Sequence, residues 1–279
     1  MTAARKTLLA ATLCLLAFST AGHAQTASQE TANAPFTPML GQEGKDVIWV
    51  PTPQELVDLM LDMAELKPDD TLVDLGSGDG RTVISAAQRG IRAHGIEYNP
   101  DMVALSNSAA RTAGVADRVS FKQADIFESD FSSASVVTLF LLPNLNVKLR
   151  PTLLAMKPGT RVISNAFTMG DWEPDEVGET SKNCASYCKA YKWVIPANVQ
   201  GTWTLNNGTL TLNQTYQKLD GTLNDGKTEH EVQEGRVLGT QVTFRANNQN
   251  YSATLNGGTL QGFLNGTTPF IATRAGTQR

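Results

Sequence analysis

Val73-Asp-Leu-Gly-Ser-Gly-Asp-Gly-Arg81 is the stretch on which the fold turns. Thr71 to Leu75 is an apolar run of strand length, and Arg81 to Gln88 carries the spacing of a helix. Between them glycine stands at 76, 78 and 80. A strand that stops in glycines and restarts as a helix lets backbone N–H groups approach a ligand at the helix N-terminus. Asp74, at the end of the strand, is a carboxylate placed to accept from a donor-rich ligand. Seventeen residues past Gly80, Glu97 lies in a second strand-like run, Ala93 to Tyr98, where a carboxylate can hold both hydroxyls of a ribose. Asp125 ends a third run, Val119 to Asp125. Three acids at three strand ends describe a nucleoside site in an open α/β sheet.

A dinucleotide site wants G-x-G-x-x-G, but the place of its third glycine is taken by Arg81. No Lys-Ser or Lys-Thr pair follows the loop, which excludes a P-loop phosphate cradle. The pattern D-x-G-x-G-x-G, with Glu97 and Asp125 in train, resembles the first motif of class I S-adenosylmethionine (SAM) methyltransferases.

The chain has 279 residues, 41% of them hydrophobic and 18% charged, enough for one large or two small folded domains. Arg5 and Lys6 precede an apolar stretch, Thr7 to Phe18, and then Ser-Thr-Ala-Gly-His-Ala24. That form predicts a signal peptide over residues 1–24 and an exported, periplasmic or secreted protein. Its apolar middle is too short for a comfortable membrane span, so no stable span is expected after cleavage. Leu13 before Cys14 argues against a lipoprotein signal. The whole chain carries a net charge of −4, and losing Arg5 and Lys6 takes it to −6, so no nucleic-acid partner is expected. Cys184 and Cys188 then remain, either bridged or as free thiols. No metal site is expected, because two cysteines without neighbouring histidines do not complete a shell.

Residues 25–46 lack periodicity and read as a flexible leader. Thr52-Pro-Gln-Glu55 reads as a capping box that opens a helix. Strands and helices then alternate to Phe167, which predicts a mostly parallel sheet covered on both faces, spanning 47–197. After Pro196 the pattern changes to Gly-Thr-Leu phrases broken by Asn-Asn-Gly, Asn-Asp-Gly and Asn-Gly-Gly. These predict an all-β antiparallel module over 198–279. The Asn-x-Thr sequons at Asn207, Asn213 and Asn265 suit turns and strands, and His230 stands alone there.

From about Trp49 to Glu176 the chain resembles the lysine methyltransferases of the mitochondrial ATP synthase c-subunit and adenine nucleotide carrier, and their bacterial relatives. The matching phrases are Val50-Pro-Thr-Pro, Gly76-Ser-Gly-Asp-Gly-Arg, Gly95-Ile-Glu-Tyr-Asn-Pro, Val136-Val-Thr-Leu-Phe-Leu-Leu-Pro-Asn, Thr160-Arg-Val-Ile-Ser and Asp171-Trp-Glu-Pro-Asp. The resemblance implies a seven-stranded class I, Rossmann-like fold that uses SAM. It implies that Asp74, Gly76, Ser77 and Gly78 line the methionine end and that Glu97 holds the ribose. Asp125 would contact the adenine amine, with Ile126 or Phe127 against the ring, and Thr52 would close over the methionine moiety. Pro143 and Asn144 would orient the acceptor, a protein lysine by preference and a small molecule as the alternative. Each residue also has a plainer reading: Thr52 as an N-cap, Asn144 as a helix cap, Asp125 as a strand exit. A non-catalytic envelope binding protein, with the β module facing a partner, is the competing class. Export would carry the chain away from the compartment that makes SAM.

Overall fold

The structure, a computed structural model, describes residues 36–276. The expected signal segment 1–24 lies outside the described residues. The first half is built from α1 (Gln54–Met63), β1 (Thr71–Leu75), α2 (Arg81–Gln88), β2 (Arg92–Glu97), α3 (Pro100–Thr112), β3 (Val119–Gln123), β4 (Val136–Leu139), α4 (Pro143–Leu154) and β5 (Arg161–Asn165), followed by β6 (Glu176–Glu179) and β7 (Lys189–Val194). The seven strands run in the order β3-β2-β1-β4-β5-β7-β6. The first five are parallel, and β7 returns antiparallel between β5 and β6.

Strand periodicity sorts the core into two layers. Leu72, Ala93, Val136 and Ile163 pack with α1 and α2, while Val73, Leu75, Val137, Leu139 and Val162 pack on the other face with Leu145, Leu149 and Leu153 of α4. Because both faces are covered, β4 is buried at every position and reads as an unbroken apolar run. The order reverses between β1 and β4, so the crevice beyond their carboxyl ends is where such a sheet receives a ligand.

The expected capping box does not form. The N-cap of α1 is Pro53, with no side-chain cap bond. Thr52 is buried, and its hydroxyl accepts from Asn165 Nδ2 at 3.1 Å, while Glu55 accepts from Asn183 at 2.6 Å. Tertiary partners outcompete the local ones. The leader is also shorter than its composition suggests. Residues 41–49 form a hairpin in which Gly41 and Trp49 donate to Trp49 and Gln42 carbonyls, each at 2.9 Å.

The second half comprises β8 (Gly201–Leu205), β9 (Gly208–Thr215), β10 (Lys218–Asn224), β11 (Glu229–Glu231), β12 (Gln233–Leu238), β13 (Gln241–Ala246), β14 (Gln249–Asn256), β15 (Thr259–Leu264) and β16 (Thr268–Arg274). Antiparallel pairing runs from β10 through β12 to β16, on to β8 and β9, and back from β9 to β10. Eight strands thus close into a barrel, with β11 as an outer appendage on β10. Closure removes the exposed edges that an open antiparallel sheet would present. Trp203, Leu210, Leu212, Val237, Val242, Phe244, Leu260 and Ala272 belong to its packed core. Asn247 and Asn248, at φ +52° and +56°, make the tight turn between β13 and β14.

Sheet and barrel belong to one compact unit. Trp172 is fully buried; its indole donates to Gln217 Oε1 at 3.0 Å, and Gln217 Nε2 donates to the Glu173 carbonyl at 2.6 Å. Tyr216 stacks on Trp172 at 5.8 Å, and Arg236 pairs with Asp175. Among the described residues no helix is long and apolar enough to cross a membrane.

Candidate active site

A cavity of about 700 Å³ opens over the carboxyl ends of β1, β2 and β4. Its lining includes Thr52, Asp74, Gly76, Ser77, Gly78, Glu97, Asp125 and Ile126, the residues singled out from sequence for the cofactor. Pro143 and Asn144 are not brought there. They are exposed at the start of α4, whose N-cap is Leu142, so Asn144 neither lines the cavity nor caps the helix. Leu141, Leu142 and Leu145 line the cavity in their place.

The glycine loop is held by the strand beside it. Gly76 and Ser77 donate to the Ile96 carbonyl at 2.8 and 3.1 Å. Gly78 has φ +54°, and a Cβ built there would sit 2.8 Å from the Trp49 indole nitrogen. Only glycine accepts both the backbone and the close roof. Gly95 of β2 serves the same packing, since a Cβ there would meet Ser77 Oγ at 2.5 Å. Glycine at Gly80, in the left-handed region, takes the N-cap place of α2 and supplies no side-chain cap.

Glu97 is pinned from both sides. One carboxylate oxygen accepts from Gly78 N–H and the other from Asn99 N–H, each at 2.9 Å. Each oxygen keeps a second lone pair for a ligand hydroxyl. Asp74 is buried, and loss of hydration pushes its carboxyl up to about 7. A hydrogen bond from Thr138 Oγ1 at 2.6 Å opposes that rise, while the Glu97 and Asp79 charges add to it. A cationic ammonium brought beside Asp74 would favour its ionised form. Asp125 accepts from Lys45 and from Phe127 N–H, and the Lys45 bond, followed by the backbone bond, holds its carboxyl below the usual range.

Sequence reasoning missed the hairpin residues Lys45 and Trp49, and the aromatic end formed by Phe140, Phe167 and Tyr187. The hairpin carries no motif. Phe140 sits inside the phrase from Val136 to Asn144, where its apolar neighbours conceal it. Ser77 Oγ and Asn165 Oδ1 are buried without a hydrogen-bond partner within the protein. The orphaned Ser77 hydroxyl, a glycine cradle and carboxylates at three strand ends suit a cationic, donor-rich nucleoside such as SAM.

Fold and site define a class I SAM-dependent methyltransferase. The ANTKMT methyltransferase domain matches residues 74–176. A protein-lysine N-methyltransferase of Saccharolobus islandicus (strain REY15A) is 42% identical over 134 residues, 47% of this chain and 83% of the relative. The adenine nucleotide translocase lysine N-methyltransferase of Mus musculus is 38% identical over 119 residues, 42% of this chain and 52% of the relative. A solved structure, an RNA methyltransferase from Salinibacter ruber in complex with S-adenosyl-L-homocysteine, is 49% identical with a TM-score of 0.51, covering 54% of this chain and 96% of that one. The chain belongs to the ANTKMT methyltransferase family. It spans about half the length of the mouse relative.

The expectation of export is corrected by these relatives. The lysine methyltransferases among them belong to the cytoplasm and the mitochondrial matrix and are not secreted or periplasmic proteins. The envelope partner expected for the β module falls with it. The two cysteines, left open from sequence, are bridged: Cys184 and Cys188 form a disulfide.

Proposed function

We propose that the chain methylates a lysine amine of a protein. The observation that carries this reading is the charge state of the cavity wall. Its two lining cations are both engaged: Arg81 with Asp79 and the Thr52 carbonyl, Lys45 with Asp125. Among the described lining residues none is left to neutralise a phosphate, whereas the acceptor end is apolar, with Leu139, Phe140, Leu142 and Phe167. A polyanion finds little there; a four-carbon stem finds its match.

SAM, when bound, supplies a methyl group on a sulfonium that is already a good leaving group. The residues of this chain then have three tasks. Asp74, Gly76, Ser77 and Gly78 would hold the methionine end, Glu97 would take the ribose hydroxyls, and Asp125 with Ile126 would hold the adenine. Thr52, fixed by Asn165, closes the methionine side. The aliphatic part of the wall, Leu139 and Leu142, strips water from the amine, which favours its neutral form and frees the lone pair that attack requires. With SAM bound, transfer would form the N–C bond at the expense of the C–S bond, leaving that pair of electrons on sulfur and the amine proton to solvent. We also take the chain to divide at 197/198, with the barrel outside the chemistry: no lining residue of the cavity comes from it.

The test is methyl transfer from radiolabelled SAM to a lysine-peptide library and, in parallel, to structured RNA. The reading predicts label on peptide lysine, absent from peptides with arginine in its place. Label on RNA alone, in line with the name of the Salinibacter protein, contradicts it.

A further inference from the structure

Phe140, at the end of β4, and Phe167, beyond β5, meet Tyr187 from the loop between β6 and β7. Their ring centroids lie 5.3 to 6.1 Å apart, with Tyr187 and Phe140 in a T-shaped pair and Tyr187 tilted to Phe167. Tyr187 lies outside the family-matched span 74–176. Its backbone is held at φ +58°, and Ala166, beside Phe167, at +62°, conformations disfavoured for residues with a Cβ. The loop is tied down around it. The Cys184–Cys188 bridge encloses Tyr187, Thr180 N–H donates to the Cys188 carbonyl at 3.0 Å, and Asn183 donates to Glu55 of α1.

Elsewhere in the described structure Tyr98, Phe127, Tyr216 and Trp203 each carry a lysine or arginine over the ring. The three rings at the mouth have no such partner among the described residues. Tyr187 is nonetheless 44% exposed at the wall of the cavity. Aromatic rings gathered at the wall of an open cavity offer an ammonium or methylammonium head a cation–π partner.

We propose that Phe140, Phe167 and Tyr187 form a cage for the alkylammonium head of the acceptor, with Tyr187 as its specificity-determining residue. This rests on the lysine reading above. The cage binds the side chain before it loses its proton and again after it gains methyl groups. Tyr187 positions the acceptor and leaves the cofactor alone, so its loss should act on acceptor KM and on selectivity, with SAH affinity unchanged.

The probes are N-acetyl-trimethyllysine methylamide and its neutral tert-butyl carbon isostere, titrated by NMR into the full chain saturated with SAH. The cationic probe should bind about fivefold more tightly than the isostere. Tyr187→Ala should abolish that preference and Tyr187→Phe should retain it, with SAH calorimetry confirming that each variant is folded. Replacing both Cys184 and Cys188 by serine should weaken the preference by loosening the loop. Equal binding of the two probes by the wild type, or an undiminished preference in Tyr187→Ala, overturns the cage even if lysine peptides are methylated. If RNA alone is methylated and neither probe binds, the lysine reading fails and the cage with it.

Discussion

The two halves of this molecule solve the problem of an exposed sheet in opposite ways. The first leaves its parallel sheet open and covers the faces with helices, which creates a crevice where the strand order reverses between β1 and β4. The second bends its strands until β9 meets β10 and fills the interior with its own side chains. The unsatisfied buried polar atoms follow the same division. Ser77 Oγ, Asn146 Oδ1, Arg161 Nε and Asn165 Oδ1 all belong to the first half. The barrel, among the described residues, contributes none. Of these four only Ser77 lines the cavity, where a ligand can complete it; the closed sheet offers no such place.

The largest effect that could break this contrast is on stability. Trp203 is fully buried in the barrel, its indole donates to the Val199 carbonyl at 2.9 Å, and Arg274 lies over its ring. Trp203→Ala should cost about 3–5 kcal/mol of unfolding free energy. SAH affinity at a temperature where the variant remains folded should not change. Denaturant unfolding and calorimetry on the same preparation check both halves of the statement. A folded variant with weakened SAH binding would make the barrel part of the site.

Asp74 offers the converse, a group whose service to the site costs stability. Burial raises its carboxyl to about 7, so the folded protein keeps a proton that the unfolded chain releases near the ordinary value of 3.8. Stability from this group is therefore full below pH 3.8, and it declines as pH rises to about 7. Asp74→Asn keeps an acceptor for Thr138 and escapes the decline. Relative to wild type it should gain a few kcal/mol across that range, since each pH unit between the folded and unfolded values is worth about 1.4 kcal/mol. It should lose SAM affinity at the same time. Thermal unfolding across that pH range gives the answer, and parallel pH profiles for the two proteins would show that the Asp74 proton is not linked to folding.

Much of the open half was legible because its signals are local. A strand run, three glycines and a helical run lie within eighteen residues, Thr71 to Gln88, and acids at strand ends announce themselves by position. What was missed depends on contacts between distant residues. Thr52 looks like a cap until Asn165, far along the chain, takes its hydroxyl. The hairpin at 41–49 reads as leader because its partner is the glycine loop, met through Trp49 over Gly78. Asn144 follows a strand as an acceptor-positioning residue would, yet the turn into α4 leaves it exposed. The hairpins of the β module could be read from their turns. Its closure could not, because Thr204 pairs with Thr273 and no local pattern records that meeting. Tyr187 sits in a loop whose shape depends on a disulfide and on α1.

The central claim is that the open half binds SAM through carboxylates at the strand ends, with Glu97 on the ribose. Its most direct measurement is calorimetric titration of the full chain, wild type and Glu97→Ala, with SAM and SAH. The account predicts saturable one-to-one binding by the wild type. In the variant it predicts a loss of about 1.5–3 kcal/mol, the worth of a charge-assisted hydrogen-bond pair. Affinity that stays within about twofold in Glu97→Ala, a difference well under 1 kcal/mol, would contradict it.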